Sequence, residues 1–219
     1  MKTFIAVCCL LLLSLNLTYA DEGGWVVRQN EDGILVQQQQ TGSPHETTRG
    51  VVETETTLDA LVALLKDVEA CPRWVHACKE GRLVATLNPS ERIAYSVLDS
   101  PFPLQDRDMY IYSTVRYKRK QGTIVINLRG RENHAPVQPG RTRVLDLQGS
   151  WVFQQVSPGH VRVSYQIQAN PQAPFNGPSN DHMAESVFKT LQNLREVVKE
   201  PKYRDARFSE EEIRSIEVK

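Results

Sequence analysis

Apolar positions along the chain follow two periods. From Val161 onward, Val161, Val163, Tyr165 and Ile167 alternate with Arg162, Ser164, Gln166 and Gln168. A period of two puts each set on its own face of a strand, so this segment has one buried and one wet face. The same alternation places Met109, Ile111, Ser113, Val115 and Tyr117 on one face of Met109–Lys118. Tyr110, Tyr112, Thr114, Arg116 and Lys118 take the other. Leu83–Leu87, Arg92–Leu98, Thr123–Arg129, Arg141–Leu147 and Ser150–Val156 also read as strands. Asn88-Pro89-Ser90, Lys120-Gln121-Gly122, Gln138-Pro139-Gly140 and Ser157-Pro158-Gly159 supply turns between them. Short turns between consecutive strands predict an antiparallel sheet. Upstream, Trp25–Val27, Ile34–Gln38 and the Thr/Val-rich Thr47–Thr56 are further extended segments.

Two stretches switch to the helical period. Leu58, Leu61, Val62, Leu65 and Val68 form one stripe. Thr56 and Asp59 have capping-box spacing before it, and Cys71-Pro72 is expected to end it. A loop rich in Pro, Asn and Gly covers Asn170–Asn180. A long helix over Asp181–Lys199 follows and stops before Pro201. Met183, Val187, Leu191, Leu194 and Val198 share its apolar face, with Ala184 and Phe188 beside it. Ser209 and Glu212 suggest a last short helix in the tail. The class is therefore α+β: a long antiparallel meander whose apolar face is covered by one terminal helix. A curved sheet closed by one helix can retain an interior cavity for a small apolar ligand.

Composition narrows the possibilities. Lysine plus arginine and aspartate plus glutamate both number 26, so the formal net charge is zero. A dedicated nucleic-acid binder would carry a basic surface, so no nucleic-acid partner is expected. Residues 1–20 read as a secretory signal peptide. Lys2 supplies the positive start, Phe4–Leu17 is apolar apart from Ser14 and Asn16, and Thr18-Tyr19-Ala20 offers small residues for a cut after Ala20. The run is short for a membrane span, which needs about 20 apolar residues. The protein is expected to be exported, to the periplasm or as a secreted protein according to its host. Of four cysteines, Cys8 and Cys9 fall in this leader. Cys71 and Cys78 remain. A local disulfide is one reading, because an exported compartment permits it. A metal reading would recruit His76, but that donor set is incomplete for zinc.

The chain also resembles a known family. Ser100-Pro101-Phe102-Pro103-Leu104-Gln105-Asp106-Arg107-Asp108 is similar to the Pro-aromatic-Pro…Arg-Asp signature of START (steroidogenic acute regulatory protein-related lipid transfer) domains. Trp25, His45–Gly50, Trp74, Gly149-Ser150-Trp151, Asn170-Pro171 with Gly177-Pro178, and Thr190–Arg195 resemble the family's landmarks in the family's order. The likeness spans Trp25–Val198. It implies a helix-grip (START/Bet v 1-like) fold over residues 21–200, with a tail over 201–219. The curved antiparallel sheet would wrap the C-terminal helix around a tunnel for one lipid. In the sterol-binding branch an arginine enters the cavity six positions after the signature arginine; here that position is Ser113. The matching acid would fall near Ala94 or Tyr95. The Phe175–Ser179 loop also lacks the family's second glycine and tryptophan.

These readings define candidate residues. Tyr95, Met109, Ile111, Ser113, Val115, Tyr165, Met183, Val187 and Leu191 are expected to contact the ligand. Arg107, Asp108 and Trp151 are expected to be structural, with Asp106-Arg107-Asp108 an ion pair or strand-entry anchor. The five histidines show no metal-ligand spacing, and no metal or cofactor is called for. The expected function is to bind one apolar lipid (a phospholipid, a fatty-acid-like molecule or another hydrophobic ligand) and carry it, as a monomer, with transient membrane contact and no catalysis. An enzyme of cyclase or hydrolase type on the same scaffold is the alternative, with Tyr95, Ser113 and Arg131 as its polar candidates. A module with a collapsed cavity is a third reading.

Overall fold

Ten strands form a single sheet in the structure, a computed structural model that describes residues 23–218. The predicted leader lies outside the described residues. In chain order the strands are β1 (Trp25–Glu31), β2 (Ile34–Gln39), β3 (Thr47–Glu55), β4 (Cys78–Asn88), β5 (Glu91–Leu98), β6 (Asp106–Lys118), β7 (Thr123–Gly130), β8 (Arg141–Arg143), β9 (Leu145–Ser157) and β10 (His160–Asn170). Their spatial order is β1-β2-β3-β10-β9-β7-β6-β5-β4. Every neighbour on this path is antiparallel. The first three strands thus join the meander only through its last strand. The helices are α1 (Leu58–Lys66), α2 (Cys71–Trp74), α3 (Asn176–Val197), α4 (Pro201–Arg204) and α5 (Glu210–Ile216). The curved sheet grips α3, which is the helix-grip arrangement.

Alternation explains how the sheet meets its helices. On β10, Val161, Val163 and Ile167 are buried, and on β9 Trp151 and Phe153 join them. Leu61, Val62 and Leu64 of α1 and Val187, Leu191 and Leu194 of α3 complete the same core. Gly50 on β3 lets α3 approach closely. A methyl group there would sit 2.5 Å from Leu191 Cδ1 and 2.6 Å from Val187 Cγ1.

Several boundaries differ from the sequence reading. Thr57, not Thr56, caps α1: its hydroxyl accepts from the Ala60 amide at 3.1 Å. The Thr56 amide still bonds back to Gly159 at 2.9 Å, so Thr56 belongs to the strand end. Cys71-Pro72 does not end a helix but opens α2, because proline is tolerated in a first turn that has no amide partners anyway. For the same reason α3 starts at Asn176 and accommodates Pro178, which shortens the preceding loop. Arg141–Leu147 is not one strand. Arg141–Arg143 splits off as β8 and runs parallel to the start of β6, while Leu145 begins a single strand through Ser157. Gly149 lies inside that strand because of a close approach: a Cβ would be 2.5 Å from the Gln166 carbonyl oxygen on β10.

The tail packs back on the body. Tyr203 of α4 is buried and donates to Asp67 at 2.7 Å. Ser209 and Glu212 form a capping box at α5. Arg119 donates to Glu210 at 2.8 and 2.9 Å, and Tyr117 bridges to Glu217 beyond α5.

Candidate functional site

A cavity of about 650 Å³ lies between the sheet and the helices. Its volume removes the collapsed-cavity reading. The wall is formed by inward-facing residues of β5, β6, β7, β9 and β10, by α1 and α2, and by the first half of α3. Its exposed members all come from two loops or the start of α3: Asp99, Pro101 and Leu104 on one side, Pro174, Phe175, Pro178 and His182 on the other. These define the mouth.

The parity of β6 controls what reaches the cavity. Met109, Ile111 and Ser113 line it. Tyr165 on β10 does too, stacked on Trp151 with ring centroids 3.9 Å apart. Burial pushes the Tyr165 phenol well above its ordinary pKa. Met183 and Val187 supply the α3 side. Three candidates do not line the cavity. Tyr95 points to the opposite face of β5 and packs on Tyr110 at 4.7 Å. The strand's inward positions are Ala94, Ser96 and Leu98, so parity excludes it. Val115 shares the face of Ser113 but is enclosed in the solid core, and Leu191 is occupied against Gly50.

The signature motif divides its work. Arg107 faces the cavity and donates to the carbonyls of Gln105 at 2.6 Å and Pro171 at 3.0 Å. It joins the two loops of the mouth and is a strand-entry anchor. Asp106 pairs with Lys79 at 3.1 Å. Asp108 is fully buried and takes two bonds from Arg143, at 2.8 and 3.1 Å. Arg143 also donates to the Ala135 carbonyl at 3.1 Å, and the Tyr95 hydroxyl donates to Asp108 at 3.2 Å. The ion pair of this motif therefore reaches 35 residues along the chain to β8, not to the neighbouring arginine. The offset is the reason for the parallel β6–β8 pairing, which brings Arg143 directly opposite Asp108.

The mouth has its own polar frame. Cys71 and Cys78 are joined by a disulfide with Cα atoms 5.9 Å apart, closing the segment that carries Trp74 and His76. The His76 amide donates to Thr190 Oγ1 at 3.1 Å, and Asn193 donates to the Trp74 carbonyl at 3.2 Å, so α2 is tied to α3. His76 and His182 face each other across this seam with ring centroids 6.0 Å apart. Burial lowers the pKa of His76, Lys189 and His182 add to this, and Glu185 opposes it. Gln38 donates to the Asn180 carbonyl at 2.6 Å and the Glu46 amide to Asn180 Oδ1 at 3.2 Å, which fixes the first turns of α3 to β2 and β3.

The enzyme candidates do not converge. Ser113 is at the cavity, Tyr95 is behind the sheet, and Arg131 lies 4.9 Å over Tyr112 on the outer face. Among the described residues, no group of three or more His, Cys, Asp or Glu side chains is arranged to hold a metal ion. Several wall residues escaped the sequence reading, among them a cation. Arg92 of β5 is the register partner of Ser113 on β6 and lines the cavity beside it. Antiparallel register, once known, would have found it, because directly opposed residues share a face.

A curved sheet closed on a long helix around an apolar cavity defines a hydrophobic-ligand-binding domain of helix-grip type. A family model for the START domain matches residues 7–196, and the chain belongs to that family. An uncharacterised protein of Pseudomonas aeruginosa is 30% identical over 173 residues, covering 78% of this chain and 85% of its own. The crystal structure of a STAR-related lipid transfer protein from Xanthomonas axonopodis superposes with a TM-score of 0.74 at 26% identity, over 81% of this chain and 99% of that one. Human StAR-related lipid transfer protein 5 shares the fold, with a TM-score of 0.72 at 18% identity, over 82% of this chain and 88% of its own.

Proposed function

We propose that the protein is an exported lipid carrier. It binds one apolar or amphiphilic molecule in the cavity and exchanges it at a membrane surface. The observation that carries this reading is a mostly apolar cavity whose mouth is flanked by exposed apolar side chains. Phe102 is 97% exposed and Phe175 74% exposed, with Leu104 beside them. Apolar tips of this kind favour insertion among acyl chains, and a cavity rewards each buried methylene with about 0.8 kcal/mol. The Pro171–Phe175 loop and the adjoining α2–α3 seam are the moving elements in this reading, each held by a few hydrogen bonds. The apolar run of residues 4–17 and the Cys71–Cys78 disulfide support export.

The enzyme alternative needs an acid–base pair facing the ligand. The wall carboxylates offer none that is free: Asp67 is held by Lys202 and Tyr203, and Asp99 by Lys79. The carrier reading is therefore preferred.

The test is to purify residues 21–219 from the native host, weigh the protein intact by native mass spectrometry and identify what it carries. A stoichiometric lipid, released to acceptor vesicles, is the expected result. Phe102→Ser with Phe175→Ser should slow transfer to vesicles while leaving bound lipid in place. A protein that is empty and takes nothing from vesicles would refute the carrier reading.

A further inference from the structure

The charged groups of the cavity wall are not equivalent. Asp67 accepts from Tyr203 at 2.7 Å and from Lys202. Asp99 pairs with Lys79 at 2.6 Å. The Arg107 guanidinium is occupied by two carbonyls at the mouth. Arg92 differs. Its Nη2 donates to the Leu65 carbonyl at 2.7 Å, and among the described residues no carboxylate lies within ion-pair distance of it. Lys66, a like charge whose pKa Arg92 helps to lower, is itself answered by Glu212 at 4.0 Å. Burial lowers the Arg92 pKa from its ordinary value and no acid offsets this, yet an arginine remains protonated. The result is a cation in an apolar wall with most of its donors unused. Such a group is costly unless a counter-charge arrives.

Beside it stands a second donor. Ser113 is paired with Arg92 across β5 and β6, on the same face, and its hydroxyl has no hydrogen-bond partner among the described residues. A planar guanidinium with a neighbouring hydroxyl is suited to a carboxylate or a phosphate. The pair also lies at the far end from the mouth. Leu98, where β5 reaches the mouth, is six residues on, a span of about 20 Å at strand rise. The wall between includes Ala94, Leu98, Met109, Ile111 and Trp151.

We propose that the cavity selects an anionic amphiphile, with its carboxylate or phosphate head seated between Arg92 and Ser113 and its apolar tail running toward the mouth. This rests on the ligand-binding reading above and adds the charge and direction of the ligand. Arg92 would then satisfy the Leu65 carbonyl and the ligand head together.

The test uses delipidated protein (residues 21–219) and three probes of equal chain length: palmitate, methyl palmitate and hexadecyl phosphate. Affinities are measured by calorimetry for the wild type, Arg92→Met, Arg92→Lys and Ser113→Ala. The wild type should prefer an anion over the ester by about tenfold to a hundredfold, the size of a charged hydrogen-bonded contact. Whichever anion binds more tightly identifies the head as carboxylate or phosphate. Arg92→Met should erase the preference of anion over ester, Arg92→Lys should keep part of it, and Ser113→Ala should reduce it less. A merely structural Arg92 would shift all three probes alike, and that result overturns the proposal. Equal binding of anion and ester by the wild type overturns it while the carrier reading stands. Binding of none of the probes overturns it as well, while the carrier reading is decided separately by the lipid found on the native protein. If Arg92→Met does not fold, the wild-type ratio and Arg92→Lys still decide.

Discussion

Asp108 and Arg143 meet as a bidentate pair whose side chains are 0% and 3% exposed. Removing one partner strands the other charge out of water, which costs far more than the pair contributes when whole. Asp108→Asn or Arg143→Met should each lower the unfolding free energy by about 3–5 kcal/mol in denaturant titration. The double substitution should cost less than the sum, because neither charge is then left alone. A second residue-level prediction concerns Gly50. Alanine there must displace Leu191 or Val187, and overpacking of this kind costs about 1–3 kcal/mol. Combining Gly50→Ala with Leu191→Ala should cost less than the sum of the two single substitutions, read from the thermal midpoint. Parity alone makes Met109, Ile111 and Ser113 legible as cavity residues, because strand geometry permits only two faces. The same rule misplaces Tyr95 when the matching parity of β5 is unknown. Arg143 was not legible at all, since its partner is far along the chain and nothing local marks it.

Among the elements, α3 works as two halves. Its first half covers the cavity and its second half is buried between β3 and the core. The seam between α2 and α3 contains His76 and His182, with Lys189 and Glu185 on the adjoining turn. The folded environment holds the His76 pKa below its ordinary value of 6.5. Above that value the imidazole is neutral in both the closed and the opened seam, and its environment costs nothing. As pH falls through and below about 6.5, the opened form takes the proton first, so closure weakens with acid. Lipid release should therefore be faster at about pH 5.5 than at about pH 7.5, and His76→Gln should flatten the dependence. A release rate unchanged between these conditions would show that the seam does not open. Element identities were largely readable because the two periods, 2 and 3.6, are distinct in this chain. Boundaries were less so. Pro72 and Pro178 look like breaks in a sequence, yet both sit in first turns where proline loses no bond. Gly149, read only as part of the Gly149-Ser150-Trp151 landmark, is a point where β9 and β10 nearly touch.

At the scale of the molecule, the tail closes over the far end of the domain. Burial raises the Asp67 pKa, but hydrogen bonds from Lys202 and Tyr203 outweigh this and leave it below the usual carboxylate range. Tyr203 is in turn pushed up to about 12, first by burial and then by Asp67. A depressed carboxylate pKa stabilises docking above its ordinary value of 3.8 and loses that effect as pH falls through the folded value. Limited proteolysis after residue 200 should thus accelerate below about pH 4, and Tyr203→Phe should produce a milder opening at neutral pH, worth about 1 kcal/mol. The order of landmarks from Trp25 to Val198 made the family fold legible, whereas the docking of residues 201–218 depends on contacts between distant segments that no local pattern announces. The sheet order has one more implication, and it concerns time. β3 finds its outer neighbour only in β10, with Thr54 opposite Val161. More than a hundred residues must be synthesised before that edge can be completed. Topologies dominated by such distant pairings fold in milliseconds to seconds. Stopped-flow refolding of the described domain should fall in that range. The strand needed to complete the sheet is among the last parts of the domain to be made, so on the export reading proposed above the polypeptide would stay threadable until nearly all of it exists.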